Sequence, residues 1–191
     1  SRRHDEKKCP CRTAQKKNKR NRKERYLETG SHTPTLYRKL LCFYSVGMKL
    51  LHTGDLHLGK TLHETPLIDD QKSMLEQLIA ELARDDYAAL LIAGDIYDRT
   101  IPGADAVELF SSFLGNLRTR FPDLAVCFIP GNHDSAQRLG FADTILKTRN
   151  IHVVSDPEQS FHPLIITGKT GERTALFLLP FLAAGTLSPE K

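Results

Sequence analysis

Three short apolar runs, 49–53 (KLLHT), 88–93 (AALLIA) and 124–129 (LAVCFI), each lead into a glycine with aspartate or asparagine directly after it. Amphipathic stretches separate the runs. Leu67–Arg84 places Ile68, Leu75, Leu78, Ile79 and Leu82 at helical spacing, and Ala104–Arg120 does the same with Val107, Phe110, Phe113, Leu114 and Leu117. Short apolar runs of five or six residues are too short for buried helices and suit strands of a covered sheet, and 88–93 is apolar throughout. Their alternation with helices predicts βαβ units around a largely parallel sheet, an α/β fold. In such sheets binding sites form where the strands end at their carboxyl side. Ala136–Lys147 reads as a third helix. Pro163–Ile166 and Thr174–Leu179 flank Gly168-Lys169-Thr170-Gly171, the mark of a hairpin. That Gly-Lys-Thr is not a phosphate-binding loop, because Pro163 stands where the first glycine would be and the segment lies between strands.

Charge divides the 191-residue chain into two segments. Residues 1–47 carry 14 Lys/Arg against 4 Asp/Glu, whereas 48–191 carry 13 against 19. The basic segment, with its run Lys16–Arg25, has no apolar period, and residues 1–35 are expected to be disordered. A nucleic-acid-binding arm, a targeting signal and a solvated tail are all open readings. The preferred one makes 1–47 an extension ahead of a natural start at Met48. Residues 48–191 then form the folded domain. Cys9-Pro10-Cys11 is half a zinc site at most, since no second pair stands at finger spacing. Cys127, inside an apolar run, reads as a core residue, and nothing suggests a disulfide framework, so a reducing cytoplasm is expected. The apolar run Leu40–Val46 is far short of the ~20 residues of a spanning helix, and no membrane association is expected.

The three strand-end clusters are Gly54-Asp55-Leu56-His57, Gly94-Asp95-Ile96-Tyr97-Asp98 and Gly131-Asn132-His133-Asp134. Singly each could be a turn or a helix cap. Together, after successive buried strands, they suit a pair of divalent ions that clamp a phosphate ester and activate water. Two cations ~3.5–4 Å apart need an anion between them, a role that fits the central Asp95. Asp55 and His57, two residues apart, can be aimed at one ion by an extended turn, and Asn132 offers a neutral oxygen to the other. Mixed oxygen and nitrogen donors suit Mn²⁺, Fe or Zn better than Ca²⁺. For His52, His63, His152 and His162 a structural or surface role is the simpler reading.

This order of motifs, D-x-H, G-D and G-N-H-D, resembles the opening signature of the calcineurin-like metallophosphoesterases. Within them, Met48–Gly59, Ala93–Asp98, Pro130–Ser135 and Leu179–Leu182 look like the SbcD family, the nuclease subunits of bacterial SbcCD complexes. The resemblance covers 48–191 and none of 1–47. It implies a two-sheet sandwich flanked by helices. It implies Asp55 and His57 on a first metal, Asp95 bridging, Asn132 on a second metal and His133 touching the scissile phosphate. Asp134 would orient His133 by a hydrogen bond. The implied cofactors are two divalent ions, Mn²⁺ foremost. The implied activity is a double-strand exonuclease and a single-strand or hairpin endonuclease in DNA recombination, replication and repair. The implied partners are DNA, an SbcC-type ATPase subunit and a second nuclease subunit in a homodimer. The family completes its site with a later Gly-His and a Gly-His-x-His. After Asp134 this chain has only His152 and His162, in neither pattern. The sandwich is therefore expected to be incomplete, truncated at its C-terminal side, and the activity of the chain alone is expected to be low. The alternatives are a metallophosphatase or cyclic-nucleotide phosphodiesterase with the same ligands, or a non-catalytic truncated product.

Overall fold

The structure is a computed structural model that describes the backbone of residues 41–44 and the chain over 47–184. The chain divides after Arg38, and all described residues belong to the second unit. The expectations for residues 1–35, including the basic run and the Cys9/Cys11 pair, lie outside the described residues.

A five-stranded sheet forms the centre. Its strands are β1 (Leu41–Tyr44), β2 (Lys49–Thr53), β5 (Tyr87–Ala93), β6 (Ala125–Ile129) and β7 (Ile151–Val153), adjacent in that order. Between β2 and β5 lie the two-residue strands β3 (Thr61–Leu62) and β4 (Thr65–Pro66), which pair only with each other. The strands from β2 to β7 run parallel, and β1 lies antiparallel on the edge of β2. Composition groups residues 41–44 with the basic segment, yet Leu41–Tyr44 pair with Lys49–His52, so the strand pairing crosses the boundary at Met48.

The helix α1 (Ile68–Leu82) joins β2 to β5, and α2 (Ala104–Arg120) joins β5 to β6. Both lie on one face of the sheet. Leu75, Leu78, Ile79 and Leu82 from α1 and Phe110, Phe113 and Leu117 from α2 pack with Leu51, Leu90, Ile92, Val126 and Phe128. The period of two along each strand sends the alternate residues to the other face. There Leu50, Ala89, Ala125 and Cys127 meet Ile166. Ile166 belongs to a hairpin of β8 (Leu164–Thr167) and β9 (Arg173–Leu176), the start of a second layer. Its turn is the expected Gly168–Gly171, with Gly171 at φ 89°. This is the predicted α/β architecture of a helix layer, a largely parallel sheet and a β layer behind it. No helix of the described residues is long and apolar enough to cross a membrane.

The expected single helix over 136–147 is two: α3 (Ala136–Gly140) and α4 (Asp143–Lys147). The Ser135 hydroxyl caps α3, and Leu139 anchors it in the core. Gly140 then passes so close to Ser155 that a Cβ there would strike its hydroxyl, and the helix ends at that close approach. β7 was not legible because three residues, Ile-His-Val, are too few to show a period.

Candidate metal centre

β2, β5 and β6 end side by side, and the loops that follow them are tied together. The amide of Asp55 donates to the Gly94 carbonyl (3.1 Å), His57 to Asp95 (2.9 Å) and Leu58 to Ile96 (2.9 Å), and Asp98 donates back to Leu58 (3.1 Å). Leu56, Leu58 and Ile96 are buried beneath and anchor both loops in the helix-side core. Polar residues alternate with these anchors, so Asp55, His57 and Asp95 come to one side. Donor atoms of these three lie within 4.8 Å of one another. His57 Nε2 is 3.8 Å from Asp95 Oδ2.

The backbone is not the extended turn expected from the spacing. Asp55 (φ 55°), His57 (φ 45°) and Asp95 (φ 49°) all occupy the left-handed region. Asp and His tolerate it better than most residues, but each such conformation still costs about 1 kcal/mol or more. The interloop hydrogen bonds and buried leucines hold it in place. Two glycines make the approach of the loops possible. Gly94 has φ 78°, and a Cβ on Gly131 would collide with the Asp95 carboxylate.

The third cluster closes over Asp95. The His133 amide donates to Asp95 Oδ1 (3.0 Å), so the turn containing the exposed Asn132 sits against this carboxylate. The His133 ring is edge-on to the His57 ring, with centroids 4.8 Å apart, and its Nδ1 is 2.9 Å from the Asp98 carbonyl. A carbonyl only accepts, so Nδ1 carries the hydrogen and Nε2 is left for other work. Asp134 does not orient this ring, contrary to expectation. Its carboxylate accepts from the amides of Ile96 (3.0 Å), Tyr97 (2.9 Å) and Gly131 (2.9 Å), joining the β5 and β6 loops. Asp134 follows the ring in sequence but faces the amides exposed as β5 ends, and a carboxylate gains more from three donors than from one. Burial, aided by the charge of Asp134, pushes the Tyr97 hydroxyl up to about 12.

Two contributors were given no role by the sequence reading, Asp98 within the second cluster and Gln71 outside all three. Asp98 belongs to a second donor group with His57 and His133, within 4.8 Å of one another. Gln71 is buried on α1. It donates to the His57 carbonyl (2.6 Å) and accepts from the Gly59 amide (2.9 Å), so a helix residue clamps the loop of the first motif. A polar residue on the apolar face of a helix is the signal that could have singled it out. His152 stays a structural residue, its Nε2 3.0 Å from Asn150 Oδ1, and His63 sits in the β3–β4 turn at φ 47°.

The donor set fits a divalent ion. Two carboxylates and an imidazole converge in a partly buried place where like charges repel, and a cation relieves that repulsion. His57 Nε2, 3.8 Å from Asp95 Oδ2, lies on the side of these carboxylates.

A parallel sheet whose strand ends gather D-x-H, G-D and G-N-H-D in this way defines a metallophosphoesterase. The chain belongs to the calcineurin-like phosphoesterase family, which its residues 48–180 match. Among solved structures it is similar to a Pseudomonas putida nuclease, MPE, at 20% identity and a TM-score of 0.38, over 80% of this chain and 93% of that one. The family is one of hydrolases that use divalent metals, and Asp55, His57 and Asp95 form a candidate donor group here.

Proposed function

We propose that the chain is the metallophosphoesterase part of an SbcD-type DNA nuclease subunit. It hydrolyses phosphodiesters at duplex ends and in hairpins, and acts in the cytoplasm with an SbcC-type ATPase and a second copy of itself in recombination, replication and repair. The observation that carries the metal-dependent half of this reading is the Asp55–His57–Asp95 group, held in left-handed backbone at the strand ends. The DNA substrate rests on the sequence of Gly54–Gly59 and Gly131–Ser135, which favours the nuclease branch over phosphatases.

On this reading Asp55 and His57 hold one ion, Asp95 lies between two, and Asn132 offers its oxygen to the second. When bound, the ions neutralise the phosphodiester and acidify the attacking water. His133 is the group for the phosphate. With Nδ1 donating to the Asp98 carbonyl, its Nε2 would be the atom that stabilises the phosphate or, as an acid, gives its own proton to the leaving oxygen. Asp134 keeps the two loops in register by holding three amides. Among the described residues Asp95 and Asn132 are the donors this reading gives the second ion, so it is expected to bind more weakly than the first.

The test offers the full chain and Mn²⁺ a hairpin DNA, a linear duplex and p-nitrophenyl phosphate, with Mn²⁺ binding followed by calorimetry. Tight binding of one ion, weaker binding of a second, and slow cleavage of DNA in preference to the monoester are expected. His133→Ala should remove cleavage and leave Mn²⁺ binding nearly intact. Preferential turnover of the monoester would make the protein a phosphatase. Loss of an ion in His133→Ala would make His133 a ligand.

A further inference from the structure

We infer that Asp98 is the positioning residue of His57: its carboxylate holds the imidazole in the Nδ1–H tautomer and so presents Nε2 to the ion. The inference rests on the metal-binding reading above.

The two nitrogens of His57 face two different carboxylates. Nε2 lies 3.8 Å from Asp95 Oδ2, and Nδ1 lies 3.4 Å from Asp98 Oδ1. A neutral imidazole has one donor and one acceptor nitrogen, and the group beside one nitrogen decides the state of the other. A carboxylate beside Nδ1 favours hydrogen there and leaves the Nε2 lone pair on the side of Asp55 and Asp95. Metal-bound histidines are commonly oriented in this way by an outer carboxylate.

Asp98 is well held for the task. Its amide donates to the Leu58 carbonyl, which fixes it to the same loop as His57. Lys60 Nζ lies 3.9 Å from its Oδ1 and Arg99 Nε 3.9 Å from its Oδ2. These two cations also argue against the alternative that Asp98, His57 and His133 hold an ion themselves. A divalent ion at Asp98 would meet positive charge on both oxygens, and His57 Nδ1 would be diverted from its hydrogen. The 3.4 Å contact lacks hydrogen-bond geometry, and Nδ1 is otherwise without a partner. The Asp98 carboxylate is thus the group that faces Nδ1, a small adjustment short of a hydrogen bond.

The test uses the full chain, with Asp98→Asn and Asp98→Ala as variants and circular dichroism to establish folding. Nitrogen-15 spectra of the histidine rings in the metal-free protein report the tautomer, and calorimetry with Mn²⁺ alone reports affinity. The native protein should show His57 mainly as the Nδ1–H form. Asp98→Ala should show a mixture and bind the first Mn²⁺ roughly ten- to a hundredfold more weakly, the range typical of outer carboxylates. Asp98→Asn, whose amide oxygen still accepts, should fall between, and it carries the test if the alanine variant does not fold. Unchanged tautomer and unchanged affinity in the variants would overturn the inference. Loss of one ion per chain with an unchanged tautomer would overturn it too, making Asp98 a ligand. Absence of Mn²⁺ binding by the native chain would instead sink the metal-binding reading beneath it.

Discussion

The two ends of the central sheet treat charge in opposite ways. At the amino ends of the strands an open cavity is bordered by Lys49, Asp85, Asp86, Asp123, Lys169 and Glu172. There the acids meet lysines directly: Lys49 pairs with Asp85, and Lys169 lies 2.5 Å from Asp86. At the carboxyl ends Asp55, Asp95, Asp98 and Asp134 crowd together, and two of them are held chiefly by backbone amides. Asp134 takes three and Asp95 takes one. The first end is neutralised by mobile side chains at the surface, which contributes little to stability. At the second, fixed donors restrain Asp95 and Asp134 without cancelling their charge, Lys60 and Arg99 stand 3.9 Å from Asp98 alone, and the group of Asp55, His57 and Asp95 suits a cation.

Breaking the network at the carboxyl end should have the largest effect. Asp134→Ala leaves the amides of Ile96, Tyr97 and Gly131 without their acceptor and should lower stability by about 3 kcal/mol, allowing for water at the rim. Urea denaturation measures this. Lys169→Ala, its counterpart at the amino end, should leave the denaturation midpoint unchanged within error. Equal losses in the two variants would erase the distinction between the ends.

Gln71→Leu probes the same network from the helix side and should cost less. It keeps the volume but removes the partners of the His57 carbonyl and the Gly59 amide, for a loss of about 2 kcal/mol. Because the clamp holds the loop of Asp55 and His57, Mn²⁺ affinity should fall with it. A destabilised variant with native Mn²⁺ affinity would show that the loop keeps its shape without Gln71.

The smallest effect lies between the two ends, in mid-sheet. Burial pushes the Cys127 thiol up to about 12 from an ordinary value of 9.0. The native state therefore holds this proton more tightly than the unfolded chain does. The contribution is complete below pH 9 and is lost as pH rises from 9 towards 12. Tyr97, raised from 10.0 to about 12, adds to the loss above pH 10. Cys127→Ala should thus lose less stability than the native chain between pH 9 and 10, as read from denaturation midpoints. Identical pH profiles would show that the thiol titrates in the native state as it does when unfolded.

The sequence by itself determined the frame. Apolar runs too short for helices specified β2, β5 and β6, and periodic leucines and phenylalanines specified α1 and α2, because hydrophobic spacing is a local property read along the chain. It also singled out Asp55, His57, Asp95, Asn132, His133 and Asp134, since glycine followed by a polar residue after a buried strand marks a strand end in an α/β sheet. Tertiary structure alone decided how these residues meet. It brought Asp55, His57 and Asp95 within 4.8 Å through left-handed backbone that no spacing rule signals. It turned Asp134 from its neighbour His133 towards two amides 37 and 38 positions away in sequence, with Gly131 as the one local donor. It recruited Gln71 and Asp98, split the helix over 136–147 at Gly140, and laid Leu41–Tyr44 against β2. The physical reason is common to all of these. A hydrogen bond or ion pair depends on which groups are close in space when the chain is folded, and closeness between distant residues is set by packing rather than by the pattern of any one segment.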